Sequence, residues 1–493
     1  MATQHPDNAG KPYWHYRPFV SSTAEIKESF LCFSDLDIAE YNWDWEGKFV
    51  DEAVVDRLLQ GHLSYFKKNP LGREKFLTFR FPNPRIESQF RLARALMVAI
   101  TSSQLSRSLG FDCDPVFEAI LPLTETAEEL IDIQEAFSAL VGIEHKLLKL
   151  NRFIRHLEII PLFESVSTII NSHQILKKYI RLHRERFGKN PHYIRPYCAR
   201  SDPALNSGLI PTIIALKIAL NRYRQLERET GIHLYPMLGT GSLPFRGGLS
   251  PDTVDKCLSE YAGVSTLIIQ SAFRYDFPKK RVIEAVGKIN RNITARQVKK
   301  LTAGQINSLT HVLPAFEKPY RHTVESISPL INSLSLHVAK RRERLLHIGL
   351  FGYSRGMGKI KLPRAITFTA ALYSIGVPPE LIGSGRGLAI ASKSKVSQDL
   401  SQAYIHLKQD LILAGQYLNK DNLKRLEKIN PLFKDIREDV NNIERLFKIE
   451  LGPVNKLHQR HARLTSVILD RFLNKKNVSR LITMTGQLRR SLG

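Results

Sequence analysis

The chain has 493 residues, 43% hydrophobic and 24% charged, the proportions of an ordinary globular protein rather than a disordered or fibrous one. Lysine and arginine total 72 against 47 aspartates and glutamates, a formal net charge of +25; the basic residues are spread over apparent helices without a zinc finger or aromatic RNA-binding motif, so a solvated basic surface or sites for small anions are favoured over nucleic acid. No run has the apolar length of a membrane span, "MATQHPDNAGKPYW" contains no secretory apolar core, and Cys32, Cys113, Cys198 and Cys257 stand too far apart for a metal or disulfide framework, which implies a cytoplasmic setting with no membrane partner.

In chain order, short apolar runs rich in β-branched and aromatic residues recur at "LDIAEYNWD" (36–44), "KFLTFRF" (75–81), "VFEAILPL" (116–123), "LEIIPLF" (157–163), "YIRPYCA" (193–199), "GIHLYPML" (231–238), "VSTLIIQ" (264–270) and "LLHIGLF" (345–351). Helical patterns such as "AEELIDIQEAFSALV" and "LIPTIIALKIALNRYRQLERE" lie between them. Most neighbouring strands are roughly 35–40 residues apart, room for one strand, one helix and two loops. Alternating strand and helix implies a parallel α/β sheet, and eight such units imply a closed eight-stranded (β/α) TIM-like barrel rather than an open doubly wound sheet. The last interval is too long for one crossover. Residues 275–344 read as a large helical insertion, with "RVIEAVGKINRNI" and "SPLINSLSLHVAKRRERLL" among its helices. The expected organisation is a catalytic barrel over 1–364 containing that insertion, and a helical C-terminal region over 365–493 packed on it.

A barrel of this kind carries its chemistry at the C-terminal ends of its strands. Those ends hold Asp44 and Glu46 in "DWEGK", Arg80 before "PNP", Thr124 and Glu125, Glu164, Arg200 to Asp202 in "RSD", the segment "GTGSLPFRGG", then Gln270, Ser271 and Arg274, and finally "GYSRGMGK". Carboxylates and arginines on one rim suit an anionic substrate and a divalent metal. Strand ends are also where polar residues ordinarily begin, which explains polarity but not arginines set into glycine-rich turns. In "PFRGG" the glycines permit positive φ and close approach of backbone amides to an anion, and Arg246 adds a permanent planar fork. "GYSRGMGK" repeats that composition with Arg355 and Lys359, departs from the GxxxxGK(S/T) nucleotide loop, and is followed by Arg364 in "LPRAITF". Taken singly, each is also what a glycine-rich turn with a surface arginine looks like.

Glu164 and Asp202 close consecutive strands, so their side chains can converge on a metal such as Mg²⁺, which takes few carboxylates and fills its shell with water and substrate oxygens. A salt bridge to a rim arginine would use the same carboxylates equally well. In "TQHPDN" the backbone of His5 is restrained by Pro6, and Asp7 is placed to orient the ring. A chain terminus is ordinarily frayed, however, and a histidine there idle.

Together these segments resemble phosphoenolpyruvate carboxylase of the shorter archaeal type. The likeness runs from "TQHPDN" through "DWEGK", "LTFRFPNP", "ILPLTETAEELI", "IIPLFES", "ARSDPALNSGL", "GSLPFRGGLSP", "TLIIQSAFRYDFP" and "GLFGYSRGMGKIKLPRAITFTAALYSIGVPPELIG" to "GQLRRSLG", nearly the whole chain. It implies irreversible carboxylation of phosphoenolpyruvate by bicarbonate to oxaloacetate and phosphate, dependence on Mg²⁺ or Mn²⁺, and a homotetramer. Residue by residue, it implies His5 and Arg246 as catalytic, Glu164 and Asp202 as metal ligands, and Arg355 and Arg364 as substrate-binding, with Arg80 a looser match to a substrate arginine. It also implies a course in which bicarbonate attacks phosphorus to give carboxyphosphate and an enolate. His5 then takes a proton as CO₂ leaves, Arg246 holds the bicarbonate-derived group, and the glycine-rich segment closes over the site. Longer family members carry "HGRGG" where this chain has "GTGSLP", and a lysine where it has Leu205, so substrate binding is expected to be arranged differently here.

Two other classes fit parts of the pattern. Another barrel lyase or aldolase forming a metal enolate of a keto acid is separated by bicarbonate dependence and phosphate release. A nucleic-acid-binding protein is separated by a salt-dependent affinity for DNA or RNA.

Overall fold

The computed structural model describes residues 1–46, 51–87, 89–143, 154–343, 356–357, 360–393 and 396–493. Eight parallel strands form one sheet: β1 (Ala2–Thr3), β2 (Glu40–Asp44), β3 (Phe76–Arg80), β4 (Glu118–Leu121), β5 (Glu158–Phe163), β6 (Tyr197–Cys198), β7 (Met237–Gly239) and β8 (Thr266–Ile268), paired in chain order. The last strand meets the first. The Thr3 amide donates to the Ile269 carbonyl at 3.1 Å and the Ile269 amide to the Met1 carbonyl at 2.8 Å, which closes the sheet into a barrel.

Seven of the expected strands are β2 to β8. The run 345–351, expected as the eighth, lies outside the described residues. The eighth place in the barrel belongs to β1, only two residues long and therefore without a hydrophobic period to betray it. The frayed N-terminus anticipated from position alone is corrected by this pairing: Ala2 and Thr3 are fully buried. Two expected strands are also broken. Tyr193–Ile194 and Tyr197–Cys198 flank Pro196, and His233–Leu234 and Met237–Gly239 flank Pro236. Proline has no N–H for the ladder, so each run splits into a barrel strand and a short strand, and the two short strands pair with each other.

The barrel interior has two characters. Ile120, Ile160, Leu162, Tyr197, Ala199, Met237 and Ile268 form an apolar cluster from β4 to β8. The alternate residues of β1 to β3 are polar and pair with one another: Asn42 donates to the Thr3 hydroxyl at 3.2 Å, and the Thr78 hydroxyl donates to Glu40 at 2.6 Å. At the N-terminal end, Arg195 bridges Glu40 and Glu118. The opposite end, where Asp44, Arg80 and Glu164 lie, is left for chemistry.

Between 275 and 344 the chain forms helices Lys279–Asn292 and Ala303–Ser335. The second begins with a capping box, Thr302 and Gln305 each accepting from the other's backbone N–H. It stops at Ser335, so the expected helical reading of "HVAKRRE" (337–343) is corrected, while the "RLL" that ends the expected helix (344–346) lies outside the described residues. Arg341 and Glu343 instead exchange backbone hydrogen bonds with Val20, and Arg342 runs inward to Glu28. From Ala365 the chain is helical almost throughout the described residues, and its last residues return to the barrel mouth, where the Leu492 amide donates to the Asp7 carbonyl. No single helix among the described residues is long and apolar enough to cross a membrane.

Candidate active site

The segment after β1 crosses the mouth of the barrel and is fastened to the residues after β8. The Ser271 hydroxyl donates to the His5 carbonyl at 2.6 Å, and the Ser271 amide donates to the same oxygen. Asp7 is fully buried, and its Oδ1 accepts from Ser271 Oγ at 2.9 Å and from the Ala272 amide at 2.8 Å. Asp276 accepts from the amides of Ala9 and Gly10. The expectation that Asp7 orients the His5 ring is thus corrected: Asp7 fixes the backbone, and the ring is met by Arg80, whose Nη2 lies 3.4 Å from His5 Nε2. A guanidinium only donates, so Nε2 accepts, and a neutral ring carries its proton on Nδ1.

Arg80 ends β3 and sits level with Asp44, its registered partner on β2. Its Nε and Nη2 form a fork on Asp44 at 2.8 and 2.7 Å, and its Nη1 lies 2.7 Å from Glu46. All three side chains are nearly solvent-free. Burial opposes the charge of Arg80, but Asp44 and Glu46 outweigh it and hold the guanidinium firmly protonated. Glu164 stands between Phe163, the last residue of β5, and Ser165, which caps the following helix by accepting from Thr168 N–H. Its Oε2 accepts from the Leu123 amide at 2.9 Å. Asp202 lies on the helix Ser201–Ser207, which follows β6, the registered neighbour of β5. The charges of Arg80, Glu164, Asp202 and Asp44 all act on the buried Tyr197 phenol, which marks the middle of the site. Tyr197 also explains Gly239: a Cβ there would fall 2.8 Å from the phenol oxygen.

The turn Pro244–Arg246 follows β7. It is packed: Gly241 donates to the Arg246 carbonyl at 2.7 Å and Leu249 to the Gly241 carbonyl at 3.0 Å. Its glycines serve close approach. A Cβ on Gly241 would meet the Arg246 side chain at 3.0 Å, and Gly247 has φ +127° with Thr240 against it. Arg246 is 1% exposed. Its Nε donates to Ser201 Oγ at 3.2 Å, Nη1 to the Gly493 carbonyl and Nη2 to Gln270 Oε1, and Nη1 lies 3.5 Å from Asp7 Oδ2. Asp202 acts on the same guanidinium. Arg200, next to Ser201, donates to the Pro244 carbonyl at 3.0 Å and to Tyr261 at 3.1 Å, anchoring the turn from below.

Of the residues singled out from sequence, His5, Arg80, Glu164, Asp202 and Arg246 share this end of the barrel. Arg364 is exposed and immediately precedes the helix Ala365–Ser374 without capping it through its side chain; the Ile366 carbonyl of that helix lies against Gly493. Arg355 and Lys359 fall outside the described residues. Arg274 departs from the rim: it is fully buried and pairs with Glu28 and the Thr3 carbonyl. Leu205 is buried, its carbonyl held by Tyr320. Sequence reading assigned no role to Ser201, Gln270, Asp7 as a partner of Arg246, Glu380 or Gly493. Their places depend on which chain segments meet, and only "RSD" and "IIQS", lying at strand ends, carried any signal for two of them.

A closed parallel barrel with three buried arginines (Arg80, Arg200 and Arg246), a histidine and a surplus of carboxylates at the C-terminal ends of its strands defines an enzyme for a small anionic substrate. A family model described as phosphoenolpyruvate carboxylase matches residues 1–493. Relatives carrying that name include proteins of Leuconostoc mesenteroides (37% identical, 100% of this chain and 98% of the relative), Metallosphaera sedula (37%, 100% and 99%) and Pyrococcus abyssi (38%, 93% and 98%). The chain belongs to the phosphoenolpyruvate carboxylase family.

Proposed function

We propose that the chain carboxylates phosphoenolpyruvate with bicarbonate, giving oxaloacetate and phosphate, with 1–364 as the catalytic barrel and 365–493 as a helical region packed on it. The observation that carries this reading is the meeting of His5, Arg80, Glu164, Asp202 and Arg246 at one mouth of the barrel, in a chain matched to the family over its full length.

Glu164 and Asp202 suit a hard divalent cation, Mg²⁺ or Mn²⁺, because the site holds more carboxylates than arginines and their donor atoms are oxygens. Among the described residues no three His, Cys, Asp or Glu side chains gather to hold a metal alone, so the remaining oxygens would be those of substrate and water. The bound cation supplies charge neutralisation for the phosphate and enolate oxygens. Asp44 and Glu46 orient Arg80, which holds the His5 ring at the barrel mouth through Nε2; His5 takes the proton released as CO₂ forms once Nε2 turns from Arg80 to substrate. Arg246, shielded from water, turns its remaining N–H toward the bicarbonate-derived group, while Arg355 and Arg364 bind substrate by family likeness. The same likeness carries a homotetramer in the cytoplasm, in keeping with four unpaired cysteines.

The test is oxaloacetate formation from phosphoenolpyruvate, bicarbonate and Mg²⁺, followed through malate dehydrogenase, with phosphate measured in parallel. Phosphate and oxaloacetate in equal amounts, both dependent on bicarbonate, are expected. A product formed without bicarbonate would overturn the assignment in favour of a lyase or aldolase.

A further inference from the structure

The turn carrying Arg246 is gripped from a second side. The Phe245 amide donates to Oε1 of Glu380 at 2.9 Å, and the Tyr373 hydroxyl donates to the same oxygen at 2.9 Å. Glu380 lies in the short helix Pro379–Leu381, far along the chain, and is fully buried. Its Oε2 is buried without a hydrogen-bond partner, an expensive arrangement for a carboxylate that only fills space. The turn is thus held between Arg200, donating to the Pro244 carbonyl, and Glu380, accepting from the next amide.

We propose that Glu380 is a positioning residue for the reaction: its carboxylate fixes the turn that presents Arg246, and proton uptake by that carboxylate loosens the turn. The inference rests on the role given to Arg246 above. Burial pushes Glu380 up to about 7, with the Phe245 and Glu380 amides and the Tyr373 hydroxyl opposing and Asp410 reinforcing the rise. The charged or titratable groups facing it are Tyr373 on its own side, Tyr320 from the helix Ala303–Ser335, Arg489 from the helix Ser479–Arg489, and Asp410, itself held by Lys256 and Tyr404. Arg489 lies over the Tyr373 ring at 4.9 Å and is the cation of this group. An ionised acceptor makes a stronger hydrogen bond to an amide than a neutral acid does, so the grip tightens as pH rises past neutrality.

The experiment compares wild type with Glu380→Gln and Glu380→Leu. Amide hydrogen exchange of the peptide spanning 243–248, corrected for intrinsic rate, is followed without substrate across pH 5.5–8.5 (about one and a half units either side of neutrality). Wild type should gain protection through a step near neutrality. Glu380→Gln keeps only a neutral acceptor for Phe245 and should hold the low-pH level of wild-type protection at every pH with no step, whereas Glu380→Leu should lose protection throughout. In oxaloacetate assays Glu380→Leu should lose about tenfold or more in kcat with little change in phosphoenolpyruvate KM, and Glu380→Gln should fall between Glu380→Leu and wild type. Wild-type protection in Glu380→Leu, or a persistent pH step in Glu380→Gln, overturns the proposal. A wild-type chain that makes no oxaloacetate rejects the assigned reaction, while the exchange step still upholds or overturns the clamp.

Discussion

Asp7 and Arg246 face each other out of reach of solvent, with Asp7 Oδ2 3.5 Å from Arg246 Nη1. One belongs to the segment after β1 and the other to the turn after β7, and the Gly493 carbonyl joins them at the same nitrogen. Three distant stretches of chain are therefore locked at a single guanidinium. Burial pulls the charge of Arg246 down, while Asp7 and Asp202 support it.

Asp7→Asn retains an acceptor for Ser271 and Ala272 but removes the charge opposite Arg246. Leaving one partner of a buried pair alone costs about 3–5 kcal/mol. The variant should melt several degrees lower and lose most of its kcat, read by thermal unfolding and by the coupled assay. Arg246→Lys should fold but lose more in kcat than in KM, because an ammonium cannot serve Ser201, Gln270 and Gly493 together and still face substrate. A pure KM effect would move Arg246 to ground-state binding.

Glu164→Gln and Asp202→Asn should each abolish activity at low Mg²⁺ without unfolding the chain, since the amides keep shape and lose charge. Glu164→Gln retains an oxygen for the Leu123 amide. Titration of activity with Mg²⁺, and its removal by a chelator, checks both. Near wild-type activity at low metal would cancel the assignment of that residue.

His5→Asn should still release phosphate but make little oxaloacetate, the enolate being protonated to pyruvate. Lactate dehydrogenase and malate dehydrogenase separate the two products. Deleting the first eight residues is a different experiment here, because it removes β1 and opens the barrel between β2 and β8. That deletion should lower the melting temperature sharply, whereas His5→Asn should leave it within about two degrees.

Glu28 predicts an acid limb in stability. Burial pushes its carboxyl up, but Arg342 and Arg274 together outweigh burial and hold it at about 2. A carboxyl held below its ordinary value near 4.5 contributes stability that is complete above that value and is lost as pH falls toward 2, about 3 kcal/mol in all. Urea unfolding from pH 6 to pH 2.5 should show this loss. Glu28→Gln should start less stable, with two arginines unpaired, and should lack that part of the decline.

The sequence by itself determined the alternation of strand and helix, seven of the barrel strands, and the residues at their C-terminal ends, because side-chain periodicity and strand termini are local properties of the chain. Glu164 and Asp202 were legible for that reason, each lying at or just past a strand end, and so was Arg246, set among glycines that only a tight turn requires. The tertiary structure alone decided that two residues, Ala2 and Thr3, close the barrel, since so short a strand has no period and is held by backbone pairing with Tyr41, Asn42 and Ile269. It decided that Arg274 leaves the rim for Glu28 while Arg80 stays, a choice between burial partners that no local pattern encodes. It also brought Asp7, Gln270, Glu380 and Gly493 around one turn. Hydrogen bonds between residues hundreds of positions apart depend on where packed elements meet, and the sequence states the groups but not their meeting.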